Sequence, residues 1–119
     1  MKLQTIAYWA TTILVCALMG YSGYSDLIKA DFIMDGMKHL GYPAYIVPFF
    51  GVAKIAAIII LLFPKKMRLK DLAYAGVVID LAGAAYSHYC VGDGIMEVLT
   101  PLIGVVLAIA SYLLYLNNK

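Results

Sequence analysis

The sequence predicts an all-α integral membrane protein: an up-down-up-down four-helix bundle with a short amphipathic helix between spans 1 and 2. Three observations predict it. Of 119 residues, 64% are hydrophobic and only 13% charged, a composition well to the apolar side of ordinary globular domains. Four runs approach the ~20 apolar residues that cross a bilayer of ~30 Å: about 5–24, 45–63, 71–90 and 98–116. The connections after the second and third runs are short, which makes successive helices antiparallel neighbours. The length fits a single transmembrane domain over 1–119. The net charge of +2 is modest and its cations cluster by topology, so nucleic acid is not a partner. Membrane lipid is.

The first run is long enough to span, and Val15 before Cys16 is a poor residue for a processing site, so it reads as a span rather than a cleaved leader. Each run carries a stripe of mostly small or weakly polar residues at helical spacing. Thr12, Cys16, Gly20 and Gly23 form the first stripe; Val47, Gly51, Lys54, Ile58 and Leu61 form the second. Gly76, Asp80, Gly83, Ala84 and Ser87 form the third, with Thr100, Gly104, Ala108, Ser111 and Tyr115 in the fourth. Helices in lipid associate through close backbone approach, so these stripes are expected to face inward. Such stripes also suit a homo-oligomer. Pro48 and Pro101 are placed near the starts of their helices, where proline is tolerated.

Between spans 1 and 2, SDLIKADFIMDGMKHLGYP is too polar to cross. Phe32, Gly36, Met37 and Leu40 recur at helical spacing, Asp31 is a candidate N-cap, and Gly41 with Pro43 supplies a stop. It reads as a surface helix, either a connector or a lid over the outer mouth of the bundle.

Lys and Arg fix the orientation. Lys2, Lys65, Lys66, Arg68, Lys70 and Lys119 fall on one side, Lys29 and Lys38 on the other, which puts both termini in the cytoplasm. Tyr8, Trp9, Tyr74, Tyr112 and Tyr115 are then expected in an inner aromatic belt, and Tyr21, Tyr24, Tyr42, Tyr45, Tyr86 and Tyr89 in an outer one.

The candidate site starts from two charges inside apolar runs, Lys54 and Asp80. Lys54 lies nine residues before Phe63 and Asp80 nine after Asp71, so both sit ~13 Å from the same membrane face. A carboxylate at that depth costs roughly 2.5–3.5 kcal/mol on insertion scales, and pairing with Lys54 offsets that cost. The pair reads as a register-fixing contact or as a site for the polar group of a lipophilic ligand or a proton. His88 lies about 12 Å further out, and with Ser87, Tyr86, Tyr89, Asp93, Glu97 and His39 it makes a polar outer rim. It caps its helix or handles protons there. Ser87 beside His88 is no catalytic dyad, since neighbouring helix residues diverge by ~100°. The spacing matches no metal motif, and Cys16 and Cys90, in separate spans, read as buried thiols or, for Cys90, a reactive one. No haem, iron-sulfur or phosphate-loop motif is encoded.

LGYPAYIVPFFGVAKIAAIIILLFP, followed by LKDLAYAGVVIDLAGAAYSHYCVGD, resembles the DoxX-like family of small four-span bacterial membrane proteins, as does YSGYSDL at the end of the first run. The sequence departs from that pattern at Asp26, where relatives commonly carry a lysine shortly after the SG pair. The resemblance implies a bacterial inner-membrane subunit that faces quinone or assists an oxidoreductase, with partner subunits supplying electrons and quinone as the bound cofactor. On that reading Lys54 donates to a carbonyl oxygen, Asp80 holds Lys54, and His88 with Tyr86 or Tyr89 handles protons. Two other classes compete: a non-catalytic scaffold, which calls for a closed ion pair without a cavity, and a small transporter or intramembrane enzyme, which calls for a water-filled path to Lys54.

Overall fold

The computed structural model describes residues 3–117. These form five helices: α1 (Leu3–Leu27), α2 (Asp31–Leu40), α3 (Ile46–Leu62), α4 (Arg68–Cys90) and α5 (Ile95–Asn117). The four long helices form a ring in which α1 packs on α3 and α5, and α4 on α3 and α5. Two side-chain pairs show α5 running antiparallel to α1 and α4. Thr12 near the start of α1 shares a 2.8 Å hydrogen bond with Ser111 near the end of α5, and Tyr74 near the start of α4 joins the same serine at 2.7 Å. Two helices, α1 and α5, are long and apolar enough to cross a membrane by length and composition. The apolar α3 has 17 residues, about 25 Å of rise, and α4 interrupts its apolar character with Arg68, Lys70, Asp71 and Asp80. Lys2 and Lys119, counted above toward the basic face, lie outside the described residues.

Helix ends follow local chemistry. At the end of α1, Ala30 N–H bonds the Ser25 carbonyl at 3.1 Å across Lys29, which takes the left-handed conformation (φ 52°) that this type of helix stop requires. That stop leaves Ala30, not Asp31, at the N-cap of α2, with no side-chain cap bond. Asp31 moves into the first turn, where its charge still complements the helix dipole. Gly41 ends α2 as expected, at φ 89°. Because α5 starts at Ile95, Pro101 is inside the helix, not at its start. Its ring removes one backbone donor there, and Thr100 turns its hydroxyl onto the Met96 carbonyl at 2.8 Å.

The predicted inward faces of α1, α3 and α5 largely match the buried one: Thr12, Cys16, Gly23, Val47, Gly51, Leu61, Gly104, Ala108, Ser111 and Tyr115 are all buried, whereas Thr100 is exposed. Gly23 and Gly51 bring α1 and α3 into close approach; a Cβ on Gly51 would lie 2.8 Å from Leu27 Cγ and 3.0 Å from the Gly23 carbonyl oxygen. The α4 prediction fails. Its buried face is Lys70, Ala73, Tyr74, Val77, Leu81 and Ala85, because large side chains fill the bundle interior there. Gly76 and Gly83 meet nothing within 4 Å and border open space. The inner belt is also revised. Tyr8, Tyr74 and Tyr115 are buried inside the bundle, where their hydroxyls find partners.

Gly51→Ala is therefore expected to destabilise the protein, by about 1–3 kcal/mol of overpacking against backbone and a branched carbon. Gly76→Ala and Gly83→Ala are expected to be neutral or stabilising by up to about 1 kcal/mol, since alanine favours a helix interior. Thermal unfolding of the three variants in detergent checks the opposite signs.

Candidate functional site

The α1–α3 approach at Gly23 and Gly51 sets Lys54 against the last turns of α1. A Cβ on Gly23 would lie 3.0 Å from Lys54 Cβ. From there the Lys54 ammonium donates to Ser22 Oγ at 2.7 Å and to the Asp26 carboxylate at 2.8 Å. Asp80, reaching in from α4, is 4.0 Å away. The tight partner of Lys54 is thus Asp26, whose side chain is only 2% exposed, whereas that of Asp80 is 31% exposed. The expected pairing is corrected on this point: Asp80 lies at the level of Lys54 but is its second carboxylate. The apolar run predicts a span of about 5–24, and the further turn of α1 to Leu27 carries Asp26. Ser22 and Asp26, four residues apart on one helix face, were the signal that could have identified the partner.

The site is one cation between two carboxylates. Asp26 neutralises Lys54, and Asp80 retains open space beside it. It borders two cavities. The outer one, about 450 Å³, lies beneath α2, which contributes Phe32, Ile33, Gly36, Met37 and Leu40. Its floor includes Ser22, Asp26, Lys54 and Asp80. The second, about 310 Å³, is an apolar groove that Met19, Ala57, Ile60, Leu72, Gly76 and Val77 help to line. Both share Phe50, Lys54 and Asp80 as walls. The small-residue stripe of α4 makes this room: Gly76 borders the groove, and Gly83 and Ala84 the outer cavity.

The connector α2 is fastened over the outer cavity. Its Phe32 ring stacks on Tyr21 of α1 with centroids 6.2 Å apart. Beyond its C-terminus, Tyr42 shares a 2.7 Å hydrogen bond with Ser87. His39 Nε2 bonds Asp93 Oδ1 at 2.7 Å, and His88 Nδ1 bonds the other oxygen, Oδ2, at 2.6 Å. His39 and His88 both line the cavity, and Asp93 joins them from the α4–α5 turn.

The predicted rim is thus partly assembled. His88, Asp93 and His39 come together. Ser87 bonds Tyr42 and the Gly83 carbonyl. Tyr86 and Tyr89 do not join them; they are 70% and 73% exposed, on the outward side of α4, and border neither cavity. Helical geometry gives the reason, since the face bearing Asp80, Ala84 and His88 is turned from the one bearing Tyr86 and Tyr89. Glu97 lies in the first turn of α5 and lines neither cavity. Cys16 is buried and Cys90 exposed, both as thiols.

An all-helical bundle with two membrane-capable helices and a charged triad walled by apolar cavities is the class of protein defined so far. The chain belongs to the DoxX-like family, whose model matches residues 10–111. That match and the two apolar helices support a DoxX-like membrane protein. The matched segment contains Ser22, Asp26, Lys54, Asp80, His88 and Asp93. No curated protein and no solved structure matches the chain.

The hydrogen bond from His88, and then that from His39, hold the Asp93 carboxyl below the usual carboxylate range. The folded state therefore favours the charged form. The stability this contributes is complete above the ordinary carboxylate pKa, about 3.9, and is lost as pH falls through the lower folded-state value. Asp93→Asn is expected to lower the unfolding temperature at pH 7, with the difference from the parent closing on acidification toward pH 3. A pH series of melting curves measures it.

Proposed function

We propose that the chain is a four-span protein of the bacterial inner membrane that binds the head of a quinone-like lipophilic molecule, as a subunit of an oxidoreductase system. The observation that carries this reading is the position of Lys54: an ammonium anchored by Ser22 and Asp26 where an outer cavity and an apolar groove share their walls. A flat head with carbonyl oxygens fits the cavity, and an apolar tail fits the groove. The exposed, strongly apolar surface of all four long helices, including Ile13, Ile59, Ile79 and Val106, supports four spans. So does the 45 Å long axis, comparable with a bilayer including its interfacial regions. The excess of Lys65, Lys66 and Arg68 over Lys29 and Lys38 supports a cytoplasmic α3–α4 turn and cytoplasmic ends.

In this reading Lys54 donates to a ligand carbonyl oxygen, which gains negative charge on reduction. Asp80, the more open carboxylate, exchanges a proton with the ligand. His88, Asp93 and His39 link the cavity to the outer surface and replace Tyr86 and Tyr89 in that role. Two-electron reduction of a quinone takes up two protons, and oxidation of the quinol returns them; a partner subunit carries the electrons, since no redox motif is encoded.

The cavity beside the triad favours this over a purely structural scaffold, which would close around its ion pair. A transporter is disfavoured by the apolar layer of Val15, Met19, Val77 and Leu81. It lies between the Lys54 level and the hydroxyl cluster of Thr12, Tyr74 and Ser111.

Purified protein is expected to bind a short-tailed benzoquinone or naphthoquinone. Lys54→Met alone leaves Asp26 buried and unpaired, at a cost of about 3–5 kcal/mol in stability, so Lys54→Met with Asp26→Asn is the binding variant. It should weaken affinity roughly 10- to 100-fold, the worth of a hydrogen bond to a charged group. Gly76→Leu, which fills the groove, should weaken a long-tailed quinone and spare a tailless one. No binding by the parent protein rejects the proposal.

A further inference from the structure

At the opposite end of the bundle, Lys70, one of the cations counted toward the basic face, is 1% exposed. Its ammonium donates to Tyr8 Oη at 3.1 Å and lies 5.8, 5.8 and 5.5 Å from the ring centroids of Tyr8, Trp9 and Tyr115. No carboxylate pairs with it among the described residues. Lys66 sits over the same Tyr115 ring at 5.3 Å. Lys65, Lys66 and Lys70, with Tyr8, Trp9 and Tyr115, line one pocket of about 180 Å³.

The pocket is built rather than incidental. Tyr115 locks the turn against α5, accepting a hydrogen bond from Met67 N–H at 3.1 Å and donating to the Met67 carbonyl at 3.0 Å. The turn that presents Lys65 and Lys66 is therefore fixed to the rings that surround Lys70. The N-terminus of α4 adds positive potential. Its first-turn acid, Asp71, lines a different cavity with Tyr74 and Tyr112. Three lysines line one small space, and the cation–π contacts of Lys66 and Lys70 soften their mutual repulsion without supplying negative charge. A compact anion with several acceptor oxygens supplies both charge and acceptors.

We infer that the Lys65/Lys66/Lys70 pocket binds a phosphate group, carried by an anionic phospholipid headgroup or free in solution. The turn lies on the face placed in the cytoplasm above, where anionic lipid attracts basic residues beside a span. The half-buried Trp9 ring suits the headgroup level. The inference rests on the membrane reading only for the lipid source and is independent of the outer cavity.

The test measures the unfolding temperature of full-length protein in neutral detergent, titrated with phosphatidylglycerol, phosphatidylcholine, or inorganic phosphate against chloride of equal ionic strength. Saturable stabilisation by phosphatidylglycerol and not phosphatidylcholine, unaffected by inorganic phosphate, identifies the lipid headgroup. Stabilisation by inorganic phosphate that also competes with phosphatidylglycerol identifies free phosphate in the same pocket. In either case Lys65→Gln and Lys66→Gln, both exposed positions, should each raise the half-saturating concentration roughly fivefold. Arg68→Gln, nearby but outside the pocket, should change it less than twofold. No selective stabilisation of the parent, or an Arg68→Gln effect equal to that of Lys66→Gln, overturns the inference. Quinone binding by the same preparations reports on the outer cavity separately.

Discussion

An ammonium group held away from water needs an opposite charge within reach, and the upper half of this structure is arranged around meeting that need at Lys54. Its partner, Asp26, sits on α1, so α1 and α3 must come close, and that requires glycine at 23 and 51. Once Asp26 has neutralised the lysine, Asp80 is left over. A carboxylate whose charge is not required for pairing, 31% exposed and bordering two cavities, is the group in this site with freedom to exchange a proton or bind a donor. The tight pair fixes position and leaves the second carboxylate unclaimed. A structure with only Lys54 and Asp80 would leave no acid unclaimed.

The cavities have a physical origin that reverses a common rule. Small residues on a helix in lipid usually mark close packing, and Gly23, Gly51 and Gly104 behave that way, with neighbours within van der Waals range of an added Cβ. Gly76 and Gly83 do not. On α4 the packing is done by Tyr74, Val77 and Leu81, and the glycines on the next face hold space open. One residue type thus serves opposite purposes on adjacent helices, and only the neighbouring side chains determine which. A spacing argument sees the stripe but not whether a partner helix lies against it.

That difference explains much of what the sequence revealed and what it hid. The long helices and the amphipathic connector were legible because apolar run length and periodicity are local properties. The proximity of Lys54 and Asp80, 4.0 Å apart, was legible because both charges lie inside apolar runs joined by a short turn, although α4 starts at Arg68 and the counts to the two helix ends are unequal. Asp26 escapes a run-length argument because α1 continues to Leu27, past the end of its apolar run. The His39–Asp93–His88 bridge was only partly foreseen, because it joins α2, the end of α4 and a turn. Such contacts depend on how a connector lies across the bundle. Tyr42, an expected outer-belt ring, instead clasps the segment after α2 to Ser87.

The two buried lysines show why the ends of the bundle differ in kind. Lys54 is neutralised by Asp26, so its site is polar and keeps no surplus positive charge. Lys70 is held by aromatic faces and one phenol, which tolerate a cation without cancelling it, so that end keeps a net positive field. Between them, Val15, Met19, Val77 and Leu81 form a packed apolar layer. Proton exchange through that layer would need a chain of donors that those side chains lack. The polar groups that continue from the upper site are His39, Asp93 and His88, on the far side of that layer from the basic end.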